Sequence, residues 1–211
     1  MTLEDEMHKI EEEIKGCTKC SLWKKRTNAV PGEGNYQAEV MFIGEAPGRY
    51  EDLQGRPFVG AAGKLLTSLI EDIGLTRADV YITNVVKCRP PNNRDPKQEE
   101  ISACSPYLVR QISLIKPKLL VTLGRHSTKF ILEKIGVKVS GITKVRGTLF
   151  EGEINGVPVK VLPTYHPAAA LYNPALKDTL QADFRKILEI IKEKNQVKKG
   201  VTLDFFLKSD R

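Results

Sequence analysis

Four short apolar runs constrain this chain more than anything else in it: Val40 to Ile43, Val80 to Ile82, Leu119 to Leu123 and Val159 to Leu162. Each is too short for a helix and mostly apolar, broken only by Thr122 and Lys160, the pattern of a buried strand. Helical patterns separate them, at Gly63 to Ile73, Lys97 to Ile115 and Arg125 to Ile135. Strands alternating with helices predict an α/β fold, a mostly parallel sheet covered on both faces. Asn155-Gly156, flanked by apolar residues, predicts a hairpin turn leading into the last strand. Residues 3–15 read as an amphipathic helix with Leu3, Met7, Ile10 and Ile14 on one face and Gly16 as its stop. Asp178 to Lys194 reads as a final amphipathic helix. We therefore expect one domain over residues 1–194 and a polar tail over 195–211.

With 211 residues and 41% apolar side chains, the chain is long enough for one compact core. Lysine and arginine outnumber the acids, giving a formal net charge of +7, which favours a polyanionic partner without identifying it. No apolar run approaches the ~20 residues that span a bilayer, so no membrane partner is expected. Met1-Thr2-Leu3-Glu4-Asp5-Glu6 is acidic and lacks the apolar core of a signal peptide. The expected location is cytoplasmic, at the nucleoid, with the protein a monomer. Plentiful Lys, Glu and Ile with scarce Gln is compatible with a thermophile.

In open parallel sheets, ligands sit beyond the carboxyl ends of the strands. The first run ends at Gly44-Glu45-Ala46-Pro47-Gly48, the second at Thr83-Asn84, the last at Pro163-Thr164-Tyr165-His166-Pro167. Glu45, Asn84 and His166 therefore converge on one edge. Cys17 and Cys20 form a C-x2-C pair after the first helix, and Cys88 and Cys104 lie far along the chain. In a cytosolic protein, four cysteines point to metal ligands rather than disulfides. Four thiolates suit tetrahedral zinc or a four-iron cluster, and their spacing does not separate the two. Two buried free thiols beside a coincidental pair would give the same sequence.

Gly44-Glu45-Ala46-Pro47-Gly48, Gly55-Arg56-Pro57-Phe58-Val59-Gly60, Thr83-Asn84-Val85-Val86-Lys87-Cys88-Arg89-Pro90 and His166-Pro167, in that order and with the four cysteines, resemble the family 4 uracil-DNA glycosylases over roughly residues 1–192. The resemblance implies a three-layer αβα fold with a central four-stranded, mostly parallel sheet. It implies a 4Fe-4S cluster on Cys17, Cys20, Cys88 and Cys104. It also implies hydrolysis of the N-glycosidic bond of uracil in single- or double-stranded DNA, the first step of base excision repair.

An enzyme acting on a base must take it out of the stack. By resemblance, Phe58 is the platform for the flipped uracil and Asn84 reads its edge, one amide offering acceptor and donors side by side. His166 donates to the O2 that gains charge as the bond breaks. In isolation these residues have plainer readings: a loop anchor packed inward, an Asn capping its own loop, and a histidine before proline. Better-known uracil glycosylases carry an aspartate where this chain has Ala46, so Ala46 lines the uracil site without supplying a base. Glu45 is the nearest carboxylate, and it orients water or only holds the loop. Where that better-known branch uses a tyrosine to exclude thymine's methyl group, this chain has Gly48. The resemblance assigns the task to Glu51, otherwise a solvated loop charge. Leu171 is expected as a wedge into the DNA gap, with Ala170 the alternative register.

A related branch forms a covalent histidine adduct and carries a histidine in the loop after the second strand motif. Residues 89–96 hold none, so multiple turnover is expected. A non-catalytic iron–sulfur protein or a zinc-stapled nucleic-acid module would explain the cysteines but not Glu45, Asn84 and His166 on one edge. In the tail, residues 200–207 resemble the peptide with which repair proteins bind a sliding clamp. Leu203 takes the aliphatic position, and Phe206 and Leu207 take the paired positions. Gly200 stands where that pattern has glutamine.

Overall fold

The computed structural model describes residues 2–197. The first helix, α1 (Leu3–Lys15), opens with a reciprocal cap. Thr2 Oγ1 accepts from the Asp5 N–H, and the Asp5 carboxylate accepts from the Thr2 N–H. The sheet contains β1 (Glu33–Gly34), β2 (Val40–Gly44), β3 (Tyr81–Asn84), β4 (Leu119–Leu123), β5 (Phe150–Ile154) and β6 (Val157–Thr164). Between them run α2 (Arg49–Gln54), α3 (Ala61–Asp72), α4 (Gln98–Ile115), α5 (Arg125–Lys134) and α6 (Ile142–Val145). Helices α7 (Pro167–Tyr172) and α8 (Leu176–Val197) follow the last strand.

The strand order is β1-β3-β2-β4-β6-β5. The central four strands pair in parallel, as expected, and the two edge strands are antiparallel. The sheet thus has six strands rather than the four inferred from the sequence. Both additions lack the signal that marked the others. β1 is two residues long, and its Gly34 (φ +127°) lies so close to β3 that a Cβ would meet the Val80 carbonyl oxygen at 1.9 Å. β5, Phe-Glu-Gly-Glu-Ile, is half-exposed and charged on its outer face, a composition that discourages edge-to-edge pairing with other chains. The expected hairpin does join β5 to β6. Asn155 (φ 51°) and Gly156 (φ 79°) form a two-residue turn with both residues left-handed.

β2 and β4 are buried along their whole length, and alternate residues face opposite layers. Met41, Ile43 and Leu120 pack with Met7 and Ile14 of α1, Leu108 and Ile112 of α4, and Ile131 of α5. Val40, Phe42 and Val121 pack with Leu66 and Ile70 of α3 and Leu180 and Phe184 of α8. The Phe42 and Phe184 rings stack 5.6 Å apart. These two cores make the three layers. The last helix starts two residues earlier than its amphipathic pattern predicts and runs to Val197, across the 194/195 division drawn from the sequence. Leu203, Phe206 and Leu207 lie outside the described residues. Among the described residues no helix is long and apolar enough to cross a membrane.

Candidate active site

The carboxyl ends of the parallel strands open on a cavity of about 410 Å³. Glu45, Ala46, Glu51, Phe58, Asn84 and His166 all line it. Gly44 ends β2 between two of them: a Cβ there would lie 2.3 Å from Asn84 Oδ1 and 2.6 Å from Phe58 Cζ. The absence of a side chain at Gly44 is what lets the amide and the ring share one wall.

Phe58 is 7% exposed and adopts a left-handed backbone (φ 52°), rare for an aromatic residue. The Arg77 guanidinium fixes this conformation, donating to the Pro57 carbonyl (2.7 Å) and the Phe58 carbonyl (3.1 Å) while Glu33 pairs with it from the other side. Gly63 is needed beneath it, since a Cβ there would meet the Phe58 carbonyl oxygen at 1.9 Å. The ring stacks on His166, with centroids 5.6 Å apart and planes inclined by 28°.

His166 caps α7. Its Nδ1 accepts from the Ala168 N–H at 3.1 Å, which leaves the proton of the neutral ring on Nε2. Burial pushes its pKa down to about 4, against a small upward pull from Glu51. The imidazole is therefore a neutral Nε2–H donor at neutral pH. Asn84 is 2% exposed, and its side-chain amide has no hydrogen-bond partner among the described residues, so it presents donor and acceptor to the cavity.

Glu51 stands beside Gly48. Its Oε1 accepts from the Val59 (2.9 Å) and Gly60 (3.0 Å) N–H groups, and its Oε2 would lie 2.8 Å from a Cβ at Gly48. The carboxylate occupies the space that a larger residue at position 48 would take. Burial first, and then the Asp95 carboxylate, pushes the Glu45 carboxyl up to about 7, with Arg125 pulling the other way. Ala170 is buried against α3 and α8, so its side chain does not reach outward; Leu171 is 48% and Tyr172 90% exposed.

Sequence reasoning missed Asp95 and His126. His126 Nε2 lies 3.1 Å from Asp95 Oδ2 and 3.8 Å from Glu45 Oε2. The donor atoms of these three residues would suit a cation. The Arg125 guanidinium already donates to Asp95 (2.8 Å) and to His126 Nε2 (2.9 Å), supplying the positive charge there. Arg125 and His126 directly follow β4 and Gly124, so the same strand-end rule that found Glu45 applied to them as well.

The four cysteines converge on the far side of the Asn84 loop. Cys17 and Cys20 come from the turn after α1, Cys88 from the loop after β3 and Cys104 from α4, and all four line one pocket. No three of their sulfurs lie within 4.8 Å of one another. Four thiols gathered in one pocket are a donor set that suits an iron–sulfur cluster or zinc. Arg26 Nη1 donates to Cys88 Sγ (3.1 Å) and the Lys87 N–H to Cys104 Sγ (3.2 Å), contacts suited to ligating thiolates. Burial pushes the Cys104 thiol up to about 12, with the Lys87 ammonium and N–H pulling the other way.

The sequence model of the uracil DNA glycosylase superfamily matches residues 31–192. Relatives named type-4 uracil-DNA glycosylase share 60% identity in Sulfurisphaera tokodaii (96% of this chain, 91% of that protein) and 57% in Saccharolobus solfataricus (96% and 92%). One from Archaeoglobus fulgidus shares 54% (88% and 93%). Joined to the cavity at the strand ends and the four-cysteine cradle, these similarities place the chain in the uracil DNA glycosylase superfamily, among the type-4 enzymes.

Proposed function

We propose that this protein removes uracil from DNA by hydrolysing its N-glycosidic bond. The observation that carries the reading is the Asn84 side-chain amide, without a protein partner and open to the same cavity as a neutral His166 donor and the Phe58 ring. The flipped base lies against the aromatic wall, and Asn84 accepts from uracil N3–H and donates to O4. Cytosine, with the reverse pattern, is rejected because it would leave buried polar groups unpaired. As the bond breaks, negative charge moves on to the uracil ring, and His166 Nε2–H stabilises it at O2. A neutral donor does this without delivering a proton, and one such donor is typically worth ~3 kcal/mol of barrier. Glu45 faces the sugar side, where an ionised carboxylate orients the attacking water and stabilises the sugar cation. Glu51 fills the space that thymine's methyl group would need. Leu171, exposed at the end of α7, takes the wedge position in the DNA.

The cysteine cradle supports a 4Fe-4S cluster. Held by Cys17, Cys20, Cys88 and Cys104, it serves as a structural staple joining the end of α1, the Asn84 loop and α4. Cys88→Ala is expected to lose iron, visible absorbance and thermal stability together; a colourless, equally stable and active variant would remove the cluster from the reading. The sliding-clamp contact through Leu203, Phe206 and Leu207 rests on the sequence pattern. A pull-down comparing the full chain with one ending at Lys199 tests it, and equal capture by both refutes it.

The central experiment incubates the protein with uracil-containing single-stranded and duplex DNA and then cleaves abasic sites with alkali. Strand breaks at uracil in wild type, and none in Asn84→Asp, are the expected result. Unchanged uracil kinetics in that variant would sink the role of Asn84, and a stable protein–DNA adduct would replace hydrolysis with covalent capture.

A further inference from the structure

Lys87 is the only buried lysine among the described residues, 1% exposed, and no carboxylate pairs with it. Its three N–H donors are all used. They meet Thr83 Oγ1 (2.5 Å), the Asn84 main-chain carbonyl (2.8 Å) and Gln111 Oε1 (2.7 Å). Gln111 of α4 is itself locked, donating to the Pro31 carbonyl (3.0 Å) and the Tyr81 hydroxyl (3.1 Å). An ammonium without a carboxylate is unfavourable to bury, whereas an apolar side chain of that length would fill the space without that cost. Two of the three acceptors belong to Thr83 and Asn84, the residues at the very end of β3.

That end of the strand needs holding. The sheet ladder stops at the Gly44–Asn84 pair, and beyond it the chain is tied to its neighbour by Val85 N–H to the Gly44 carbonyl (3.0 Å) and Val86 N–H to the Glu45 carbonyl (2.9 Å). The Asn84 side chain is unpartnered, so its direction depends on its main chain. Lys87 reaches back along its own loop and binds that main chain to α4.

We propose that Lys87 is a positioning residue for uracil recognition: its ammonium clamps the Asn84 carbonyl and the Thr83 hydroxyl to Gln111 and so fixes the Asn84 amide in the cavity. This rests on the reading of Asn84 as the uracil reader. Lys87 touches no substrate and acts only through Asn84.

The test uses the cluster-loaded protein, with free uracil as the probe and calorimetry as the readout alongside kcat and KM. Lys87→Met keeps the length and removes the donors. It is expected to keep its visible absorbance and cooperative unfolding, and to bind uracil about tenfold more weakly. In an Asn84→Ala background the same change should alter uracil affinity by less than about twofold, because two residues acting as a unit are not additive. A folded Lys87→Met that binds uracil like wild type, or a loss that adds fully to that of Asn84→Ala, overturns the proposal. If Lys87→Met does not fold, Thr83→Val carries the test; it removes one Lys87 acceptor at constant shape, together with the hydroxyl's donation to the Pro31 carbonyl, which Gln111 still satisfies. Weaker uracil binding with intact absorbance supports the clamp, and unchanged binding overturns it. Failure of the underlying reading looks different, since Asn84→Ala would then bind uracil like wild type.

Discussion

The Phe58 and His166 rings lie face to face, 5.6 Å between centroids and 28° between planes. A third ring between them would need about 7 Å, two van der Waals spacings of about 3.5 Å, so no base fits between the two rings. The stack fixes the imidazole plane, and the Ala168 N–H fixes its tautomer. His166 is thereby set as a neutral donor before any substrate arrives.

His166→Ala is expected to lower kcat by on the order of a hundredfold with DNA affinity little changed. Single-turnover rates and DNA titrations check this; an equal loss of affinity would make His166 a DNA-binding or folding residue. Stability should also respond. Between about 4, where burial holds the folded His166, and the unperturbed ~6.5, the unfolded chain binds a proton that the folded chain does not. This contribution is fully present above the unfolded value and is lost as pH falls through that window. His166→Asn should therefore lose less melting temperature than wild type over the same acid range.

Glu45, held up at about 7 by burial and by Asp95, gives the second prediction. If its ionised form works on the sugar side, single-turnover rate rises with pH through about 7 and then levels. Asp95→Asn removes the neighbouring negative charge and should move this acid limb to lower pH. Glu45→Gln should flatten it. A limb that stays in place in Asp95→Asn would assign the ionisation to another group.

Gly44→Ala tests the shared wall. The added methyl would overlap Asn84 Oδ1 and Phe58 Cζ. Overpacking of this kind costs ~1–3 kcal/mol, and here it falls on the uracil contacts. We expect kcat/KM on uracil DNA to drop by about ten- to a hundredfold with the cluster absorbance unchanged. Wild-type kinetics would show that the wall can yield.

Asp183 on α8 is buried and binds Arg146 (2.5 and 3.0 Å) and the Thr164 hydroxyl (2.7 Å) at the end of β6, two residues before His166. Asp183→Ala strands the guanidinium and the hydroxyl, a change that typically costs ~3–5 kcal/mol. Denaturant unfolding should show a clear drop in midpoint at constant slope, and a loss below about 1 kcal/mol would mean that water replaces the carboxylate.

The parallel core was legible because β2, β3, β4 and β6 each carry a short, mostly apolar run, broken only by Thr122 and Lys160, and such a run bounded by helical patterns reads as a buried strand. The convergence of Glu45, Asn84 and His166 was legible for the same reason: once the strands are placed, their carboxyl ends are adjacent. The four cysteines were legible as a candidate ligand set, but not their convergence, which depends on two separate loops and a helix. Edge strands β1 and β5 carried no such signal, since a strand with one free edge and one wet face obeys no strict pattern. His126 lay within reach of the strand-end rule, but Asp95, Arg77 and Lys87 read as ordinary charges in the sequence. Only the tertiary structure decided that Arg77 holds Phe58 in a left-handed turn, that Arg125 pairs with Asp95 beside Glu45, and that Lys87 lies buried beneath Asn84. Residue identity and spacing fix which groups reach the strand ends, but a side chain's partners depend on distances across the fold, and those exist only once both layers have packed on the sheet.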